Sequence, residues 1–303
     1  MPAPARRDDY DRGVARRRNA RELERVAAAR GPPRDAPAPP ISEPLAMLAR
    51  RGLAPRASPP DVPFDPSGPP ACSAAIAERL GHYAFRLFLR GAILRGRGFT
   101  PGEATRYLDA GQARDMADAC VALGLAAPIG RGRYRLVRRA RSFGGTLEWW
   151  LARELHERLG LDVATGVRTG APGVGGDLDV VAAGEGKLVY VEAKSSPPKH
   201  VTTAEIRAFL RRVAAVRPDV ALFVVDTALR LSDKILPMFV EALARAGASA
   251  PVPRRVVRET WALGPQLYLV NAREDLADNV CRAIAEGFRA LAPRIVPGDR
   301  GES

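Results

Sequence analysis

Cysteine is scarce and scattered in this chain of 303 residues. Cys72, Cys120 and Cys281 are odd in number and form no CxxC pair. That excludes a disulfide framework or a thiolate zinc site and fits free thiols in a reducing cytoplasm. Histidine is equally sparse, and His82, His156 and His200 lie too far apart to read as a metal motif. No run approaches the roughly 18 apolar residues of a membrane span, and the opening MPAPARRDDYDRG has no apolar core for a signal peptide. No basic amphipathic stretch marks a membrane surface as partner, and no repeat recurs at solenoid periods. Lysine is the last scarcity: only Lys187, Lys194, Lys199 and Lys234 stand among 47 cationic residues. Arginine is the default cation here, so a lysine inside a motif points to a need for a compact ammonium.

Positive charge, by contrast, is abundant. The formal net charge of +13 favours a polyanionic partner through phosphate contacts and counterion release, although an Arg, Ala and Gly bias also follows from nucleotide composition. The length accommodates one or two domains. Residues 1–70, with GPPRDAPAPP and SPPDVPFDPSGPP, hold too little apolar surface to offset ordering, and read as a disordered arm with short helices around Ala20 to Ala29 and Glu43 to Arg50. Residues 71–140 are compact. A helical stripe of Ile76, Leu80, Tyr83, Leu87 and Ile93 comes first. Capping signals at Thr100 with Glu103 and at Asp109 with Gln112 open two more helices, and LAAPIGRGRYRLV reads as a small hairpin.

The most informative stretch is Gly176 to Ser196, GDLDVVAAGEGKLVYVEAKSS. Two alternating runs flank a short Gly-rich segment, the pattern of a β-hairpin. A two-residue turn at Glu185-Gly186 sets Asp179 opposite Glu192 and Asp177 opposite Lys194. A turn at Gly184-Glu185 slips the pairs but keeps all four on one face, whereas a three-residue loop separates them. Two carboxylates pressed together on a half-buried sheet cost several kcal/mol each unless a cation neutralises them. The pattern therefore asks for a metal. Asp179, Glu192 and the Ala193 carbonyl are hard oxygen ligands, suited to Mg²⁺ or Mn²⁺ rather than zinc. Lys194 can then orient or deprotonate a water and stabilise an anionic transition state, which suits phosphodiester hydrolysis. The competing account is a surface hairpin with cross-strand ion pairs such as Asp177 with Lys194, worth about 0.2–1 kcal/mol.

At Asp179 and Glu192-Ala193-Lys194 the sequence resembles the PD-(D/E)xK nuclease superfamily, the restriction-endonuclease-like fold of archaeal Holliday-junction resolvases and type IV restriction domains. The resemblance implies that Asp179 and Glu192 are metal ligands and Lys194 the catalytic lysine. Many resolvase-like members carry a further acidic residue on the first helix. Here a helix after Gly144-Gly145 bears Leu147, Trp150, Leu151, Leu155 and Leu159 on one stripe, and Glu148 borders it. A strand from Val163 to Thr169, the hairpin, a helix with Ile206, Phe209, Leu210 and Val213, the run VALFVVDTA, a helix from Ser232 to Ala246, a strand at Gln266 to Val270 and a helix from Glu274 to Leu291 complete an α/β order over residues 141–292. This order resembles the superfamily's sandwich, a mixed central sheet flanked by helices, with 293–303 as a tail.

The preceding helices and hairpin resemble, in order alone, a small mainly helical winged helix-turn-helix domain. Arg131, Arg133 and Arg135 in its wing would lie along DNA phosphates, while Gln112 and Arg114 open its recognition helix. Lys199 stands in a loop beside the site, and Arg207, Arg211 and Arg212 point away from the apolar stripe of their helix. The whole reads as a Mg²⁺-dependent DNA endonuclease. A non-catalytic DNA-binding regulator or scaffold with a nuclease-like domain is the alternative; RNA is the less favoured substrate, and a homodimer stays open.

Overall fold

The computed structural model describes residues 41–170, 175–247 and 252–292. Its centre is an eight-stranded mixed sheet of order β1-β4-β5-β6-β7-β10-β9-β8. The strands are β1 (Arg56–Ala57), β4 (Asp162–Arg168), β5 (Asp177–Gly184), β6 (Lys187–Lys194), β7 (Val220–Val225), β8 (Arg254–Val257), β9 (Thr260–Ala262) and β10 (Leu267–Asn271). Only β6 with β7 and β7 with β10 run parallel. The VALFVV run became β7, buried at every position, as expected of a strand covered on both faces.

Helices cover both faces. On one lie α6 (Gly144–Leu159) and α9 (Leu276–Leu291), which pack Leu147, Trp150, Leu151, Val280 and Ile284 against Val180, Val189, Val191 and Leu222. On the other lie α7 (Thr203–Val216) and α8 (Ile235–Arg245), with Ile206, Phe209 and Phe239 against Tyr190, Phe223 and Val225. The α/β class thus follows from the pattern, with one addition. The β8–β9 hairpin, turning at Arg258 with φ +46°, escaped the sequence reading because its strands are short and its exposed face is arginine-rich.

Disorder over residues 1–70 needs correction from residue 42 onward; residues 1–40, including the helix expected around Ala20 to Ala29, and the tail 293–303 lie outside the described residues. Helix α1 (Glu43–Arg50) buries Pro44, Met47 and Leu48, and β1 pairs with β4 at Arg56–Arg168 and Ala57–Val167. Val62 and Phe64 enter the opposite core. This segment completes its burial on the distant sheet, which local composition does not report.

The helical segment that follows is α2 (Pro70–Gly81), α3 (Tyr83–Arg95), the short turn α4 (Pro101–Ala104) and α5 (Ala110–Ala122), then a hairpin of β2 (Ala126–Gly130) and β3 (Arg133–Leu136). The single stripe read from Ile76 to Ile93 is two helices, broken where His82 takes ψ 120°. Thr100 with Glu103 and Asp109 with Gln112 form reciprocal capping boxes. Leu80, Phe85, Phe88 and Leu89 share one apolar core with Trp150 and the sheet. Arg86, 1% exposed, donates through Nε to the Asp226 carboxylate just past β7 at 3.0 Å, and Arg90 reaches the other oxygen at 2.8 Å. Residues from Ser42 on accordingly form one compact unit.

Candidate active site

Strands β5 and β6 are joined by a tight turn in which Glu185 and Gly186 take φ +51° and +70°, the left-handed pair of a two-residue hairpin turn. The ladder runs from Gly184 opposite Lys187 to Val180 opposite Val191. The ladder ends there, one residue short of Asp179 and Glu192. On the other side of β5 the facing of the side chains switches. Leu178 and Val180, two apart, should share a face, yet one packs with Phe209 and the other with Leu147, across the turn of backbone where Gly166 takes φ +56°. Asp179 stands at that switch, and its Oδ2 accepts the Ala193 amide at 2.7 Å. N–H and C=O of one strand residue point to the same side, so the Ala193 carbonyl also faces the β5 edge.

Glu192 is 2% exposed. Its Oε1 meets Lys194 Nζ at 2.8 Å and Arg212 Nη2 at 2.7 Å, and its other oxygen accepts the Tyr190 hydroxyl. Arg212 also donates to the Tyr190 oxygen at 2.8 Å and to the Gly175 carbonyl at 3.2 Å. Burial pushes Glu192 up, but the Lys194 and Arg212 cations outweigh it and hold the carboxyl below the usual range. Burial likewise works to lower the Lys194 ammonium, and Glu192, Asp179 and, at 3.8 Å, Glu205 overcome it, so its pKa is raised. Asp179 behaves oppositely. Burial, then Glu192 and Glu148, lift it well above an ordinary carboxyl. Glu148 reaches the cluster from α6 and is lifted to about 7, first by burial, then by Asp177 and Glu192.

The structure therefore brings Glu148, Asp179, Glu192 and Lys194 together. Asp177 does not meet Lys194; it pairs with Arg168 at 3.1 Å on the neighbouring strand. Two side chains bonded to Glu192 escaped the sequence reading as site residues, and a third, Lys234, holds the loop beside it. Arg212, expected to point outward, is 8% exposed and turned inward. Tyr190 lies two residues before Glu192, and alternation alone could have put it on the same face. Lys234 Nζ donates to the Pro198, Lys199 and Val201 carbonyls at 2.9–3.2 Å and pins the loop after β6. Lys199 itself is exposed. In the helical segment Arg114, Arg131 and Arg135 are exposed, Gln112 is engaged in its capping box, and Arg133 is half-buried against Glu103 and the Gly98 carbonyl.

No protein-family model matches the chain, and no curated protein matches it. Among solved structures eight chains match. Protein VC1899 from Vibrio cholerae is 15% identical at a TM-score of 0.48, over 84% of this chain and 63% of that one. Can2 from Sulfobacillus thermosulfidooxidans, solved with cyclic tetra-adenylate, is 14% identical at 0.47, over 82% and 61%. The chain spans about three fifths of the length of both. Likeness at this level says nothing about activity.

The donor set fits a hard divalent cation in chemistry. Two carboxyls whose pKa burial and neighbouring carboxylates raise, beside a third held low by two cations, form a pocket in which further positive charge is favourable. Among the described residues, no three His, Cys, Asp or Glu side chains stand close enough to enclose a metal on their own. Mg²⁺ does not require such a cage, since it commonly takes one or two carboxylates and fills its shell with water and phosphate oxygens. No described helix is long and apolar enough to cross a membrane.

Proposed function

We propose that this chain is a metal-dependent DNA endonuclease with a restriction-endonuclease-like core and a winged-helix-like segment before it. The observation that carries the reading is the buried carboxylate excess at Asp179, Glu148 and Glu192, with a lysine held charged beside it. Asp179, Glu192 and the Ala193 carbonyl would hold Mg²⁺ or Mn²⁺, which when bound polarises a phosphoryl oxygen and acidifies water. The raised pKa of Lys194 favours the second of its two expected roles. A permanently charged ammonium does not take a proton from water; it stabilises charge developing on the phosphoryl oxygens. Arg212 and Tyr190 fix the Glu192 carboxylate so that one oxygen is always turned toward Lys194. Glu148, titrating near neutrality, can hold the proton that the attacking water loses. Arg114, Arg131 and Arg135 are exposed and pair with no described carboxylate, which suits a duplex backbone.

A second reading has its own support. Glu192 is already neutralised by two cations, and Asp179 is already bonded to a backbone amide, as in a structural ion-pair network of a non-catalytic DNA-binding scaffold. The two part company on a cleavage panel of branched, duplex and single-stranded DNA, with RNA as a further arm, in Mg²⁺ or Mn²⁺. Hydrolysis predicts cutting by wild type and a loss of about 10²–10⁴-fold in Asp179→Ala, Glu192→Ala and Lys194→Ala. Salt-sensitive binding without cutting, unchanged by EDTA, overturns it in favour of the scaffold.

A further inference from the structure

A cleft of about 880 Å³ opens between α3, the α4 turn with the chain to Tyr107, and the segment that follows β7. Its volume lies within the roughly 300–1,000 Å³ of ligand pockets. None of the four clustered residues Glu148, Asp179, Glu192 and Lys194 lines it, but it adjoins them. Pro197, three residues past Lys194, forms part of its wall, as does Asp226, whose amide donates to the Lys194 carbonyl at 2.8 Å. The cleft thus continues the carboxyl ends of β6 and β7, where open α/β sheets tend to receive ligands.

Its surface is unusual for a solvated face. Of eight large hydrophobic side chains exposed among the described residues, Leu94, Tyr107 and Leu229 gather here, 77%, 62% and 63% exposed. A cluster of that kind marks a binding surface more often than isolated apolar residues do. Cations border it. Arg106 lies over the Tyr107 ring at 5.1 Å and donates to its hydroxyl at 3.1 Å, and Arg95 donates through Nε to the Glu103 carbonyl at 3.3 Å; neither makes an ion pair with a described carboxylate. The acidic groups present are already engaged: Asp226 is shared by Arg86 and Arg90, and Glu103 caps α4 and pairs with Arg133. An aromatic and aliphatic floor with guanidinium groups at its rim whose charge no described carboxylate pairs is the combination that takes unstacked bases and their phosphates.

We infer that this cleft receives an unpaired nucleotide of the substrate strand next to the cleaved phosphate, its base against Tyr107, Leu94 and Leu229 and its phosphates against Arg95 and Arg106. The inference rests on the nuclease reading and narrows it to substrates with single-stranded character, such as overhangs, flaps or opened junctions. A peptide partner would use the apolar floor equally well but leaves the charge of the two guanidinium groups unmatched.

The test is fluorescence anisotropy on the full-length chain in EDTA, so that nothing is cut, comparing a labelled blunt DNA duplex with the same duplex carrying a short single-stranded extension. Wild type should bind the extended form more tightly by about tenfold. Tyr107→Ala and Leu229→Ser, both at exposed positions, should abolish that preference and leave blunt-duplex binding within about twofold. Absence of any preference in wild type, or equal weakening of both DNAs in the variants, overturns the inference, and preserved preference in the variants does so too. The nuclease reading is judged separately. A wild type that cuts but shows no preference removes the cleft assignment alone, whereas one that prefers the extension but never cuts removes hydrolysis alone.

Discussion

Glu148 shows how a single side chain reports the charge state of the cluster. Its carboxyl rises from an ordinary 4.5 to about 7 through burial and through Asp177 and Glu192. Below pH 4.5 the group is protonated in folded and unfolded chains alike, and the stability tied to it is fully present. As pH climbs through about 7 the folded chain must ionise it among other carboxylates, and that stability is lost, up to about 3 kcal/mol. Glu148→Gln, which keeps the shape without the charge, should therefore flatten the decline that urea melts of wild type show between about pH 5 and 8. Mg²⁺ added at pH 8 should restore part of the loss in wild type and little of it in Asp179→Asn. Parallel pH profiles for wild type and Glu148→Gln would show that the carboxyl is not held up. Asp179, Glu192 and Lys194 were legible because strand alternation and the ExK spacing leave few choices of face, whereas Glu148 was named from the resemblance, which places an acidic residue on the first helix. Arg212 was not. It lies three residues after Phe209 and four before Val216, so it belongs to the buried stripe, but its charge argued for solvent until Glu192 supplied a buried partner.

Elements came through the sequence unevenly, and close approaches explain where. The starts of helices opening on capping boxes were readable to within a residue or two, because the cap is a local chemical event at Thr100, Asp109 and Thr202, although the helix at Thr100, expected to reach Leu108, stops at Ala104. The crossing of α3 over the α4 turn was not, since it depends on one absent side chain. Gly91 sits where a methyl would overlap the Ala104 carbonyl, a backbone atom that cannot swing aside. Gly91→Ala should cost about 1–3 kcal/mol, read as a lower urea midpoint, and should displace the α4 turn that walls the cleft. An unchanged midpoint would mean that the two elements do not pack this closely. Short strands such as β1 and β8 escaped for a related reason. Each is held by pairing to the sheet rather than by any pattern of its own, so residues 42–70 read as an arm although α1 and β1 are built into the fold.

For the molecule from Ser42 onward, the decisive contact is the one between the helical segment and the end of β7. Arg86 is 1% exposed and its guanidinium stacks over Trp150 at 4.9 Å while binding Asp226, which is itself fully buried. Two arginines against one carboxylate leave this contact net positive in a buried place, which tells against stability. A charge pair of this kind gains little over apolar packing, but removal of one member strands the other in a dry interior. Asp226→Ala should accordingly destabilise the chain by about 3–5 kcal/mol. If the helical segment and the sheet are one cooperative body, the loss will appear as a single transition moved to lower urea, coincident by far-UV circular dichroism and by the fluorescence of Trp149 and Trp150 measured in a Trp261→Phe background. Two separated transitions, with tryptophan emission changing before the bulk of the secondary structure, would instead show that the helical segment folds apart from the sheet and that Asp226 is only a local tie.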